Sequence, residues 1–476
     1  MKELAEMLPL QFLLLLAMAS MSVALRCFYP CSCEENYMDC TSANLNTTLD
    51  LSSWLNTSYN KDTLQKIILD RNNLVHVRPL PALEDLRYLS FRGNRIQKIE
   101  DSSFAYLQNL SELDLSDNGI LSTNLQADAF RGIYQEQEFL PLEGLKILRL
   151  GGNELHTLRS DLFEHTPHLQ VLTLDRNPFF HLDVPTVQAI TSLIELQVLD
   201  LSYTHISVIP QYMLHTPKYL RELNLTGNAF TNVPEELAHT HNMTILKLTA
   251  NPITTITAET GFPAALGSLR VLEMNWMTEL KRIEKGAMST LTSLEEFYCS
   301  HNHKLAHIDA DAFRHDITED TPHMWPPMKK LHLRSNELSS LDEGLLGNWE
   351  VMEEIDIEDN NWMCDCNNQW IVSKLELIIN RTKPEYTRFT TCKQPEEMRG
   401  KRMFDLEVRH YHMRCLDADG NHPERDGMLL IGVLVGVLLA VPATVALVLF
   451  FRHRIPWIRS GPAAYSRAFY NAADDY

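Results

Sequence analysis

A chain of 476 residues with 62 acidic side chains against 42 lysines and arginines, a net charge of −20, argues against a nucleic-acid or heparin-binding surface and leaves room only for local basic patches. The length would hold two or three ordinary domains. Nine cysteines are a modest number, so their positions carry more information than their count.

Residues 10–19, Leu-Gln-Phe-Leu-Leu-Leu-Leu-Ala-Met-Ala, form an apolar run too short to span a bilayer, followed by the small residues Ser22 and Ala24. The pattern predicts a signal peptide over 1–24, although its amino end carries Glu3 and Glu6 against a single Lys2. A segment expected to span 25–63 follows, with Cys27, Cys31, Cys33 and Cys40 spaced C-x3-C-x-C-x6-C. In an oxidising compartment such a group favours disulfides over zinc.

From residue 64 to 362 one phrase recurs, Leu-x-x-Leu-x-Leu-x-x-Asn-x-Leu. Its first apolar residue falls at Leu64, Leu86, Leu110, Leu145, Leu169, Leu196, Leu220, Met243, Leu269, Leu294, Met328 and Met352, and nine of the eleven spacings lie between 22 and 27 residues. That is the period of leucine-rich repeats. Within Leu-x-Leu the side chains alternate across a short strand, so the leucines point inward and the residues between them face out on the concave side. The asparagine turns the chain out of the strand, and its amide can join backbone groups of adjacent repeats in a ladder. Phe104, Phe130, Phe163 and Phe313 in the return segments are expected to fill the convex side of the core. The predicted fold is an α/β-type solenoid, a leucine-rich-repeat horseshoe with a parallel concave sheet.

Two spacings are long, 35 residues after Leu110 and 34 after Leu294, which places insertions around 121–135 and 314–327. Long excursions from a rigid scaffold tend to be disordered or functional, and the second contains Trp325, which the repeat does not require. Cys299 occupies an inward leucine slot and is expected to be an inert buried thiol. His301, His303 and His307 resemble a metal cluster, but Asn302 is a ladder residue and its neighbours diverge at a turn, so no metal site is expected there.

After the last strand come Trp362, Cys364, Cys366, Trp370, Cys392 and Cys415. This order resembles the cysteine-rich C-terminal flank of extracellular leucine-rich-repeat proteins. Together with the N-terminal cysteines and the twelve repeats, the resemblance covers residues 27–415. It implies a C-terminal cap over 363–416 with bridges Cys364–Cys392 and Cys366–Cys415, and an N-terminal cap with bridges Cys27–Cys33 and Cys31–Cys40. Such knots seal the open ends of a solenoid, whose exposed core and strand edge would otherwise aggregate. Sequons at Asn46, Asn56, Asn109, Asn224, Asn242 and Asn380 fit an exported, glycosylated region.

A linker at 417–427 leads to residues 428–451, which are 24 consecutive residues without a charge, long enough for a transmembrane helix. Asp426 precedes it and Arg452, His453 and Arg454 follow, so the positive-inside rule puts the N-terminus outside and the tail, 452–476, in the cytoplasm. Gly432 and Gly436 offer a small-residue face for a homodimer, and Pro442 a place for a kink. Tyr465, Tyr470 and Tyr476 are the tail's only signalling-competent features, and a solvated tail is the simpler expectation.

No Gly-x-Ser-x-Gly, phosphate loop or His-Glu-x-x-His occurs, and a solenoid lacks a deep pocket, so neither an enzyme nor a cofactor is expected. The sequence predicts a single-pass type I glycoprotein of the plasma membrane whose ectodomain binds an extracellular or cell-surface protein as adhesion molecule, receptor or co-receptor. It resembles the short-tailed transmembrane leucine-rich-repeat family that includes the capricious, tartan, connectin and trophoblast glycoprotein types. An accessory subunit acting in cis and a sequestering co-receptor for a secreted morphogen are the alternatives. A glycan on Asn224 would obstruct the middle of the concave face. The binding site is therefore expected toward the C-terminal end, at Trp276, Tyr298, Lys330, His332, Arg334, Glu354 and Asp356, where aromatics and arginine suit an interface hot spot.

Overall fold

The computed structural model describes residues 30–34, 36–46, 63–315, 324–415 and 423–452. The expected signal peptide, Cys27, the Asn56 sequon, residues 316–323 and the tail tyrosines lie outside the described residues. The chain divides into two units, one running to Met363 and resuming over Trp370–Arg409, the other comprising Cys364–Gln369 and the residues from His410 onward.

In the first unit the repeats build one sheet of 14 strands. Ser32–Glu34 and Tyr37–Asp39 form an antiparallel pair, Tyr37–Asp39 runs parallel to Lys66–Ile68, and each later repeat adds one parallel strand in chain order as far as Glu354–Asp356. The register is unshifted, with Leu148, Leu172, Leu199, Leu223, Leu246 and Leu272 side by side and fully buried. Each such leucine contributes roughly 1.5–3 kcal/mol through the apolar area it hides. The predicted convex core is formed: Phe104 and Phe130 stack at 6.1 Å, Phe313 meets Phe297 edge-on at 5.4 Å, and Phe163 is buried.

Two hydrogen-bond ladders tie the repeats together. In the first, Asn177 Nδ2 donates to Leu150 O of the preceding repeat (2.9 Å) and Leu174 O of its own (3.0 Å), while its Oδ1 accepts from Leu155 N (3.0 Å). Asn153, Asn228, Asn251, Asn336 and Asn360 repeat this arrangement. It breaks at two repeats. Thr204 bonds its own repeat and the next (Oγ1 to Leu201 O, 2.7 Å), and Met277 supplies no polar side chain at all.

The second ladder is made by the residue just before each ladder asparagine. Its backbone N–H donates across to the next repeat, as in Tyr203 N to Thr226 O (2.7 Å), Ala250 N to Asn275 O (2.8 Å) and Trp276 N to Ser300 O (2.9 Å). Reaching that carbonyl requires the left-handed region, and Arg71, Asp117, Arg176, Tyr203, Ala250, Trp276, His301, Ser335 and Asp359 all have φ between 51° and 61°. For a non-glycine residue this conformation costs about 1–2 kcal/mol, which the inter-repeat bond offsets.

The ends are closed as disulfide-capped solenoids require. Cys31–Cys40 is formed beside the first strand, and Cys33 is also disulfide-bonded. At the other end Trp362 is buried with Nε1 donating to Ile357 O (3.0 Å), and Trp370 Nε1 donates to Leu341 O (2.7 Å) while its ring meets Trp349 at 5.1 Å. Cys364 and Cys392 each take part in a disulfide. Cys299 is buried against Asn302 Nδ2 (3.1 Å), and burial pushes its thiol up to about 12. Because the thiolate is the reactive species, iodoacetamide at neutral pH should leave Cys299 unmodified in the folded protein and label it only under denaturant. Labelling of the native protein would mean that this repeat opens.

The insertions are ordered where described. The first extends further than 121–135: it includes a turn over Ala127–Phe130 and a hairpin pairing Tyr134–Gln135 with Glu138–Phe139, with Arg131 4.6 Å above the Phe139 ring. In the second, Trp325 lies against Gly347, where a Cβ would come within 2.6 Å of its ring, and its Nε1 donates to Gly344 O (3.2 Å). Trp325 is thus packing for the following repeat.

The second unit contains the Cys366–Cys415 disulfide, beside which Gln369 Oε1 accepts from Met413 N (2.7 Å). Its helix, Pro423–Arg452, includes Pro442 and a 24-residue apolar stretch, Met428–Phe451, long enough to cross a membrane.

Candidate protein-binding surface

The outward strand positions form the concave face. At its C-terminal end the structure brings together most of the residues singled out from the sequence. Tyr298 donates its hydroxyl to Glu296 Oε2 (2.7 Å), and its ring lies 4.8 Å from His332. Burial and that carboxylate push the phenol's pKa up. Lys330 Nζ pairs with Glu296 Oε1 at 3.0 Å, and Arg334 reaches Glu358 Oε2 at 2.8 Å and Asp359 Oδ2 at 3.3 Å. Burial holds His332 below the ordinary imidazole value, with Glu354 Oε1 3.7 Å from its Nε2.

Asp356 departs from expectation. It is 5% exposed, and Glu358 in the same repeat only 2%. The alternation that places them outward is correct, but the cap folds back over the last strands: Tyr386 donates its hydroxyl to Glu354 Oε1 (2.7 Å), and Phe389 N donates to Glu358 Oε1 (3.3 Å). Asp356 accepts from Glu358 N (3.1 Å), and burial raises its pKa. Glu358 is pushed up to about 7, because burial and the neighbouring Asp356 outweigh Arg334. Asp356 is therefore an internal group, and Glu354 is engaged by the cap.

The middle of the face carries a different chemistry. Ile147, Val171, Val198, Ile245 and Val271 occupy the first outward position of five repeats and are half-buried, flanked by Thr173, Asn224, Thr226 and Thr249. Lys247 Nζ pairs with Glu222 Oε1 (2.7 Å), whereas among the described residues Asp200 and Glu273 have no cation in ion-pair contact. The hydrophobic alternation could have revealed this stripe; the emphasis on charged and aromatic types passed over it.

Trp276 stands in the left-handed row at the C-terminal ends of the strands, 52% exposed, stacked on His301 at 4.2 Å with His303 edge-on at 6.4 Å. His301 and His303 are thus partners of an aromatic ring, and among the described residues no group of three His, Cys, Asp or Glu is arranged to hold a metal. Of the sequons, Asn46, Asn109, Asn242 and Asn380 are exposed. Asn224 is half-buried, its Nδ2 donating to Asp200 Oδ2 (3.0 Å) and its Oδ1 accepting from Thr226 N (3.1 Å).

Inward leucines in register, an asparagine ladder and disulfide-closed ends define a leucine-rich-repeat solenoid. The chain matches the family model described as Leucine rich repeat over residues 62–120, 84–135 and 194–253. It is similar to the CD180 antigen of Mus musculus, 25% identical over 352 residues, which are 73% of this chain and 46% of that protein. It is also similar to Podocan-like protein 1 of Mus musculus, 26% identical over 64% of this chain and 58% of that one, and to Chaoptin of Drosophila melanogaster, 26% identical over 49% and 20%. The chain thus spans at most 58% of the length of these relatives. Among solved structures, that of the mouse RP105/MD-1 complex matches with a TM-score of 0.55 at 24% identity, covering 72% of this chain and 54% of that one.

Proposed function

We propose that this is a single-pass type I membrane glycoprotein of the cell surface whose solenoid binds a protein partner on its concave face and performs no chemistry itself. The observation that carries this reading is the concave sheet, which offers an apolar stripe beside small polar residues over repeats four to nine, while its C-terminal end is taken up by the cap. A receptor, co-receptor or adhesion role follows from such a surface presented outside the cell; an accessory role in cis uses the same face. The apolar helix and the sequons support membrane anchoring and export.

Arg334 pairs with the buried Glu358, so Arg334→Glu would damage the fold as well as a surface. Thr173→Arg and Thr249→Arg are cleaner probes, because each adds a long charged side chain to the open middle of the sheet. Full-length protein on cells should be screened against a library of cell-surface and secreted proteins. For a partner so found, both variants should lower affinity at least tenfold with surface levels unchanged, a loss of about 1.4 kcal/mol or more. Glu235→Arg, on the return side, should have no effect. A partner sensitive only to Glu235→Arg would place recognition on the other face. For topology, a tag after Ala24 should be accessible on intact cells, and a C-terminal tag only after permeabilisation.

A further inference from the structure

The left-handed row is more than a joint between repeats, because its side chains line up along one edge of the concave face. Where a glycine falls in the row, the preceding side chain lies down over it. Asp117 passes over Gly152, where a Cβ would meet its Oδ1 at 2.3 Å, and so reaches Arg176 at 2.7 Å. Tyr203 does the same over Gly227, where a Cβ would come within 2.3 Å of two ring carbons. The next residue of the row is Ala250, and the one after it is Trp276, whose far face is held by His301. The row therefore reads Tyr203 ring, alanine floor, Trp276 ring. The Gly227 and Trp276 backbones are two strand spacings apart, about 10 Å. Tyr203 is 50% exposed and Trp276 52%, so both rings are open to solvent.

The charge beside this notch is mostly acidic. Asp200, Glu222 and Glu273 occupy outward strand positions of the same four repeats, where Lys247 is the one lysine or arginine, and Lys247 is committed to Glu222. Glu296 is satisfied by Lys330 and Tyr298. Asp200 spends its oxygens on Ser202 N and Asn224, and Glu273 has no hydrogen-bond or ion-pair partner among the described residues. Two aromatic faces and an unspent carboxylate attract a cation, and a planar guanidinium stacks on an indole better than an ammonium does.

We propose that the notch between Tyr203 and Trp276, floored by Ala250, receives an arginine side chain of the partner protein, stacked on the open face of Trp276 with Glu273 as its counter-charge. The proposal rests on the concave-face reading above and names the group that face recognises.

The test needs no partner, so its failure is separable from failure of that reading. Full-length protein in detergent micelles, labelled with 5-fluorotryptophan, is titrated with the peptide acetyl-Gly-Arg-Gly-amide and with its lysine and phenylalanine counterparts. The Trp276 fluorine resonance is assigned by its loss in Trp276→Phe. A saturable shift with the arginine peptide, weaker with lysine and absent with phenylalanine, is expected. Glu273→Gln should weaken the arginine response roughly two- to thirtyfold, as should Ala250→Leu by filling the notch. A larger response to phenylalanine would make the notch a hydrophobic pocket and overturn the proposal. So would no saturable response, or an arginine response unchanged in Glu273→Gln. Persistence of the arginine response with loss of partner sensitivity to Thr249→Arg would overturn the concave-face reading instead.

Discussion

Asn336→Ala should destabilise the solenoid by about 3–6 kcal/mol, because three buried backbone groups lose their partner at once. Asn336 donates to Cys299 O and Leu333 O and accepts from Asn302 N, each at 2.8 Å, and is itself 4% exposed. Alanine at that place leaves a cavity too small to be refilled by the chain and three polar atoms facing it. Asn73→Ala, one residue past the equivalent ladder position of the first repeat, half-buried and losing a single bond from Nδ2 to Asn44 Oδ1 (3.2 Å), should cost no more than about 1.5 kcal/mol. Thermal unfolding of both variants decides the matter. Equal melting temperatures would mean that the asparagine ladder is incidental to stability.

Glu376→Gln should stabilise the protein near neutral pH. Glu376 begins the cap helix Glu376–Thr382 with its carboxylate buried, and burial pushes its pKa up to about 8 from the ordinary 4.5, with Thr390 opposing the shift and the nearby Glu358 adding to it. A folded pKa above the unfolded one means that the folded state holds a proton the unfolded chain gives up. There is no penalty below pH 4.5; it grows as pH rises toward 8 and levels off beyond, reaching roughly 3 kcal/mol around neutrality. The melting temperature of the parent should therefore fall between pH 5 and 8, and that of the glutamine variant should fall less steeply. The two profiles running parallel would show that Glu376 is not the titrating group. Glu358, raised to about 7, contributes a slope of the same sign in both.

How much of this was legible in the sequence depends on periodicity. The inward leucines, the ladder asparagines and the return-segment phenylalanines announce themselves because each recurs with the repeat, and the alternation rule placed Tyr298, Lys330 and His332 on the concave face. Asp356 and Glu358 follow the same rule, yet are buried. The segment that covers them, Tyr386 to Phe389, belongs to the cap, which has no period, so nothing local in the strand foretells it. The left-handed row was equally hidden, because glycine, arginine, aspartate, tyrosine and tryptophan share no property visible along the chain. Only the backbone bond to the next repeat unites them. The rule that left-handed positions favour glycine would have found Gly93, Gly152 and Gly227, and the spacing from those three marks all the others.

The two places where the asparagine ladder lapses divide the solenoid into blocks. Neither Thr204 nor Met277 sends a side-chain bond to the repeat before it, so the joints between repeats five and six and between eight and nine lack the buried ladder bond and keep only more peripheral side-chain contacts, such as Phe180 on His205 (5.2 Å) and Thr290 Oγ1 to Phe262 O (2.7 Å), beside strand pairing and the left-handed row. In a linear array whose stability is a sum of neighbour terms, a weak joint is where cooperativity ends. The solenoid is thus divided into three links at the places where the ladder lapses. The middle link, repeats six to eight, carries Tyr203 and Ala250, and Trp276 begins the link that follows. A hinge motion at the Met277 joint would open or close the aromatic notch while every link stayed folded.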